Sequence, residues 1–366
     1  MVNRLIIANL VMRPVRTLVS ITAVAVEVIL IIMVVGLTHG VLQETARRTQ
    51  GVGADIMVQP QTTSLFLGFS GAPMPVEIAK KLAEVPQVRA VAPVMVQVSS
   101  NSGITLIYGI EPSTFEAVSG GFRFIEGRGL DAPDDVLVDD VFARSQHVRA
   151  GQELMLLNHP FHLAGIVEHG QGARIFVRID TLQNLMGSVG KASVFFAKLA
   201  SPSSTPAVVA EYQRLLPHYQ IRNMQEYLSL MTDANIPGLT DFIHVMISLA
   251  VSIGLLVIFI TMYSTIVERT REIGILKSLG ASKTYIVGMV LRETAFLTVF
   301  GIGAGLGLSF LVRKALLHSF PTLNVLITGD WMLRAGLIAL LASLGGASYP
   351  AFRATQQDAI EALAYE

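Results

Sequence analysis

The residues best suited to chemistry in this chain are Glu27, a scatter of histidines and one charged segment, Glu268-Arg-Thr-Arg-Glu-Ile-Gly-Ile-Leu-Lys-Ser-Leu-Gly-Ala281. Glu27 stands inside a long apolar run, where a charge at hydrocarbon depth costs about 2.5 kcal/mol or more unless it faces protein or water. No basic residue lies within that run, so any partner must come from elsewhere. Three uses stay open: a protonated carboxyl hydrogen-bonded across a helix interface, a group lining a lipid or headgroup entry path, or a proton relay. His159, His162 and His169 are close in sequence, but Pro160 and a strand pattern around them argue against a metal site. His39, His147, His218, His244 and His318 show no ligand spacing. The absence of cysteine removes disulfides and thiolate metal centres. Gly280-Ala-Ser-Lys-Thr284 lacks the spacing and second glycine of a phosphate loop. No serine or carboxylate constellation suggests hydrolysis. The expectation is a chain without catalytic residue, metal or cofactor of its own.

The elements that hold these residues are set by composition. Hydrophobic residues make up 52% of the 366 and charged residues only 15%, with a mean hydropathy of +0.56. Soluble domains carry roughly 25% charge, so much of this chain must face lipid. Zero net charge gives no sign of nucleic acid. A spanning helix needs about 20 mostly apolar residues, and the runs Thr17–Leu37, Phe242–Val267, Thr294–Val312 and Trp331–Tyr349 qualify. Ala23-Val24-Ala25 has the form of a signal-peptidase site, but the apolar run continues to Leu37, so an uncleaved anchor is expected.

Basic residues orient the chain. Arg4, Arg13 and Arg16 precede the first span, and Arg269, Arg271, Lys277, Lys283 and Arg292 follow the second, which puts both segments in the cytosol. Arg353 agrees at the far end, while Arg313, Lys314 and Arg334 fall on the other side. The expected layout is an interfacial helix over 1–16, spans over 17–38, 241–267, 285–312 and 331–350, and a charged cytosolic helix over 268–284. A loop over 313–330 and a cytoplasmic tail over 351–366 complete the membrane part. Residues 39–240 form one domain outside the cytosol. Its runs Ile56–Val58, Val88–Val98, Ile104–Ile110, Val136–Val138, Leu154–Leu157, His162–Val167 and Ser193–Leu199 read as strands. Pro75–Glu84 and Ala207–Leu216 read as helices, the latter capped by Ser203, Ser204 or Thr205. The fold class is therefore four transmembrane helices plus a mixed α+β extracytoplasmic domain.

Smaller features have two readings each. Gly301 and Gly305, within a stripe that also holds Gly303 and Gly307, permit close helix packing in lipid; the alternative is an unspecific glycine-rich span. Leu65, Phe66, Leu67 and Phe69 make an apolar loop that either contacts lipidic cargo or folds onto the core.

The charged segment, with Glu293 in the next span, resembles the signature of the FtsX-like permease domain of MacB-type ABC transporters. The matching positions are Glu268, Arg269, Glu272, Ile273, Gly274, Lys277, Leu279, Gly280, Ala281 and Glu293, and Arg271 lies one place before Glu272. The glycine-rich third span and the tail Tyr349-Pro-Ala-Phe-Arg-Ala354, Asp358 and Glu361-Ala-Leu363 agree. Gly53-Ala-Asp-Ile56, Tyr108-Gly-Ile-Glu111, Glu126-Gly-Arg128 and Gly165-Ile-Val167 resemble the family's periplasmic core domain.

The resemblance implies that Glu268 to Gly280 form a cytoplasmic coupling helix docking on an ABC ATPase subunit that holds ATP and magnesium. Glu268 and Glu272 would share one helix face, Ile273, Leu276 and Leu279 an apolar strip, Gly280 a left-handed stop, and Ser282 the next cap. A solvated connector at the membrane surface is the alternative for the same residues. The resemblance further implies a homodimer in a bacterial inner membrane, both termini cytoplasmic, among membrane lipids, with or without a periplasmic adaptor. The expected function is a permease subunit that couples ATP hydrolysis elsewhere to export or extraction of a lipophilic or lipid-linked cargo. The competing function is a mechanotransmitting signalling subunit that activates a periplasmic partner such as a cell-wall hydrolase.

Overall fold

A computed structural model describes residues 14–61, 74–99 and 105–356. The expected interfacial helix lies outside these residues except for its last positions, and so do Leu65, Phe66, Leu67, Phe69, Asp358 and Glu361. The chain divides into a helical unit, residues 1–39, 238–318 and 325–366, and a sheet unit, residues 40–237 and 319–324.

The helical unit is built on α1 (Pro14–Gly51), α8 (Leu239–Glu268), α10 (Lys283–Ser319) and α11 (Gly329–Gln356), all long and apolar enough to cross a membrane. At 1.5 Å per residue α1 extends roughly 57 Å, well beyond the about 30 Å of a hydrocarbon core. The helix that carries the expected span 17–38 continues to Gly51, because Leu42, Ala46 and Thr49 give its extension a buried side within the sheet unit. The expected loop 313–330 is shorter for a related reason. Arg313, Lys314 and His318 are polar but helix-compatible, and α10 runs to Ser319, two residues before Pro321.

Glycines set how closely these helices approach. A Cβ on Gly301 would lie 2.6 Å from Val24 Cβ, and one on Gly305 would lie 2.9 Å from the Ala25 carbonyl oxygen and from Val28 Cβ. Gly303 and Gly307 face open space. Gly301→Ala or Gly305→Ala should thus cost about 1–3 kcal/mol through overpacking, whereas Gly303→Ala should be neutral or stabilising by up to about 1 kcal/mol from helix propensity. Thermal unfolding of the three single variants in detergent measures the difference, and equal effects at 301 and 303 would remove the packing role.

In the sheet unit, the described strands form a mixed sheet in the order β12-β1-β11-β3-β4-β9-β6-β8-β5, with β7 also paired to β8. They are β1 (Ile56–Pro60), β3 (Val88–Ser99), β4 (Thr105–Ile110), β5 (Phe124–Gly127), β6 (Asp135–Asp139), β7 (Glu153–Leu156), β8 (His159–Val167), β9 (Ile175–Arg178), β11 (Val194–Leu199) and β12 (Tyr219–Asn223). β2 (Met74–Pro75) pairs separately with β10 (Lys191–Ala192). Every residue of β1 and β6 is buried, as expected of strands covered on both faces. The covering helices include α2 (Ile78–Ala83), α3 (Pro112–Ser119), α4 (Asp140–Gln146), α5 (Ile179–Leu185), α6 (Thr205–Leu215) and α7 (Met224–Leu230). The α6 N-terminus has no side-chain cap: a 3-10 turn over Pro202–Ser204 leads in, and Ser204 itself has helical dihedrals.

Two short motifs turn out to be register partners. Gly127 pairs with Gly165 across β5 and β8, and a Cβ on Gly127 (φ +84°) would stand 2.1 Å from the Ala164 carbonyl oxygen. Only glycine permits both that approach and that dihedral. Arg128 then turns back to fork the buried Asp135 carboxylate, with Nη2 to Oδ1 at 3.0 Å. Asp55 in the Gly53–Ile56 motif accepts the Leu199 amide at 2.9 Å and so joins β1 to β11.

Candidate functional site

The charged segment occupies the junction between α8 and α10. Glu268 and Glu272 do not share one helix, because α8 ends at Glu268 and α9 (Thr270–Ser278) starts beyond Arg269, whose φ of −106° and ψ of 19° break the path. α9 ends in a Schellman turn: the Ala281 amide donates to the Leu276 carbonyl at 2.9 Å and the Gly280 amide to Lys277 at 3.0 Å, with Gly280 at φ +92°. Ser282 starts α10 by accepting the Tyr285 amide on its Oγ at 3.2 Å.

The side chains at this junction reach three other helices. Arg16 at the start of α1 donates to Glu268 Oε2 at 3.2 Å, and Ser264 Oγ donates to Glu268 Oε1 at 3.3 Å. Arg269 turns inward and donates from Nη1 to Glu293 Oε2 of α10 at 3.0 Å, with side chains 7% and 5% exposed. Lys277 Nζ donates to the Thr355 carbonyl near the end of α11 at 3.0 Å. Ile273 is buried beside Ile266, Ile286, Ala351 and Ala354, and Gly274 is buried with it. The segment is therefore fastened to α1, α10 and α11 by Glu268, Arg269 and Lys277.

The residues of the segment divide between the interior and the surface of the helical unit. Arg269, Ile273 and Gly274 are interior residues. The expected apolar strip divides: Ile273 is in the core, Leu276 is half-buried, and Leu279 is 79% exposed. What α9 turns outward is a face of Arg271, Glu272, Ile275, Ser278 and Leu279, residues spaced at one side of a helix. Ile275 was absent from the sequence expectation. Its alternation with buried Ile273 and Gly274 is the signal that could have found it.

Glu27 lies elsewhere in the helical unit, against α8. It is 2% exposed, and among the described residues neither carboxylate oxygen has a hydrogen-bond partner. Gly254 makes room for it, since a Cβ there would stand 2.0 Å from Glu27 Oε2. The carboxyl borders a groove of about 390 Å³ between α1 and α8, whose other walls are apolar apart from Thr22 and include Leu18, Val26, Leu30, Ile253 and Val257. The histidines do not converge: His159 contacts Asp134 and His169 contacts Asp140, each at 2.9 Å.

Residues 17–215 match the family model of the MacB-like periplasmic core domain, and residues 244–359 match that of the FtsX-like permease C-terminal domain. An uncharacterized ABC transporter permease of Methanocaldococcus jannaschii is 23% identical, covering 97% of this chain and 95% of its own. YknZ of Bacillus subtilis, also an uncharacterized ABC transporter permease, is 33% identical over 40% of this chain and 37% of its own. The macrolide export ATP-binding/permease protein MacB of a Shewanella species is 24% identical over 96% of this chain, which spans 58% of that relative's length. Among solved structures, the periplasmic region of MacB from Actinobacillus actinomycetemcomitans aligns with a TM-score of 0.39 at 16% identity, over 48% of this chain and 92% of that one.

A bundle of apolar helices joined to a mixed sheet domain defines a membrane protein of permease type. The chain belongs to the MacB-like family of ABC transporter permeases with an FtsX-like C-terminal domain.

Proposed function

We propose that the chain is the membrane-spanning subunit of an ABC transporter whose ATP and magnesium are held by an ATPase outside these 366 residues. The α9 junction carries this reading. A surface-exposed helix fastened at Glu268, Arg269 and Lys277 to three other helices is a lever: force applied to its outward face reaches α1, α10 and α11 together. The lack of a phosphate loop within these residues supports a motor held elsewhere. In this reading α9 and both termini lie in the cytoplasm of a bacterial inner membrane with the sheet unit on the opposite side, and the basic residues flanking the spans support that orientation. A unit of four helices works as a homodimer, with one ATPase on each α9.

The cargo of this reading is lipophilic or lipid-linked. Its support is the apolar groove beside Glu27, where an unpaired carboxyl is available to a hydrogen-bond donor on an amphiphile. Membrane lipids are the default occupants, and an adaptor protein on the sheet side completes the system where one is encoded.

Co-expression with the ATPase of the neighbouring gene tests the assembly. Native mass spectrometry of the detergent-purified material should give a complex with equal numbers of both chains and more than one of each. A monomeric chain that never retains a nucleotide-hydrolysing subunit would overturn it.

A further inference from the structure

Glu44, Arg48, Asp139 and Arg174 form an ionic cluster where three separate stretches of chain meet, with Asp139 and Arg174 buried and Glu44 and Arg48 half-buried. Arg174, 5% exposed, stands just before β9. Its Nη1 donates to Asp139 Oδ2 at 3.0 Å, its Nη2 donates to the Thr322 carbonyl at 3.2 Å, and the same Nη2 lies 3.7 Å from Glu44 Oε1. Glu44 is also 3.7 Å from Arg48 Nε, one turn further along α1. Backbone bonds reinforce the arrangement: the Asp139 amide donates to the Arg174 carbonyl and the Gly172 amide to the Arg48 carbonyl, both at 2.8 Å. Asp139 Oδ1 accepts the Phe142 amide at 2.6 Å and caps α4. Every one of these groups, including the extension of α1 and the α10–α11 connection at Thr322, belongs to the sheet unit.

For stability alone this is an expensive solution, since apolar side chains of similar volume hold a core at least as well as a buried ion pair. What the guanidinium adds is direction. Its planar fork fixes donors toward separate acceptors at once, here a stem residue of α1, a strand end and a connection between two apolar helices.

We propose that Arg174 is a positioning residue, a clasp through which α1 and the α10–α11 connection together move the sheet. Displacement of either enters at Asp139, which ends β6 and caps α4, so the strand and helix follow as one piece. The proposal goes beyond the reading of the chain as a motor-driven permease and rests on it.

The test uses spin-label distances in the full chain bound to its ATPase. With no native cysteine, Arg47→Cys on the exposed side of the α1 extension and Glu153→Cys on β7 take the labels. The parent should give a narrow distance distribution that stays in place on adding ATP, because α1 and the sheet then move together. The double variant Arg174→Gln, Asp139→Asn removes both partners and leaves no charge stranded, since Glu44 keeps Arg48. It should melt with the parent, broaden the distribution and let it shift on adding ATP. Should that variant fail to fold, Arg174→Lys, which keeps the charge and loses the fork, is read in the same way. A parent whose distance shifts with ATP, or a variant that keeps the narrow, unmoved distribution, overturns the clasp. If the ATPase in the parent complex hydrolyses no ATP, the motor-driven reading fails, and the clasp is judged on width without nucleotide: broadening supports it and unchanged width overturns it.

Discussion

Arg269→Met is expected to destabilise the helical unit by about 3–5 kcal/mol, because it strands Glu293 as an uncompensated buried charge. The partner is 5% exposed and 3.0 Å away, so no solvent takes over the role of the guanidinium. Glu293→Met should cost a similar amount by stranding Arg269. The double Met variant should be far less harmful than either single change, since a buried pair exchanged for apolar side chains of similar size is often neutral or better. Thermal unfolding in detergent across the cycle measures the coupling. Strictly additive single effects would show that the two residues do not act as a pair. The double variant should also separate stability from function: it restores the fold, but α9 then meets α10 through a contact without fixed direction, and ATP-driven response should fall.

Leu279→Asp is expected to leave the fold intact and abolish association with the ATPase. Leu279 is 79% exposed, and surface changes of this kind usually alter stability by less than about 0.5 kcal/mol. If it is an anchor of the docking face, its loss should cost about 2 kcal/mol or more of binding, roughly a thirtyfold drop in affinity. Ile275→Asp should behave alike, and Glu272→Arg should weaken binding in a salt-dependent way. Glu268→Arg is different in kind: it sets Arg16 against a like charge and should disturb the α1 junction more than the docking face. Pull-down with the ATPase at two salt concentrations separates these behaviours. Equal loss from Glu268→Arg and Leu279→Asp would mean that the end of α8 and the outward face of α9 are not distinct.

The membrane helices were legible because each shows a long apolar window, a signal that needs no tertiary knowledge. Long strands such as β3 and β8 were equally plain. β9 was not, although it sits between β4 and β6: four residues, Ile175–Arg178, give too short a run to separate from a loop. β12, Tyr-Gln-Ile-Arg-Asn, looks polar because it is an edge strand. The charged segment was visible as a motif, but its division into an inner and an outer face was not. That division depends on Glu293, 24 residues further on, drawing Arg269 inward and breaking the helix that spacing alone would continue. Arg174 gave no signal at all, since its partners Glu44, Asp139 and Thr322 lie far away in sequence. Charge pairing across a fold has no local pattern, whereas burial along an element does.

The decisive question is whether the outward face of α9 or the end of α8 meets the motor. Because the chain has no cysteine, single cysteines introduced at Glu268, Ile275 and Leu279 give a clean cross-linking map against the ATPase subunit in membranes. Cross-links are expected from 275 and 279 that strengthen or weaken with nucleotide, and none from 268. Cross-linking from 268 with silence at 279 would contradict docking through the outward face of α9.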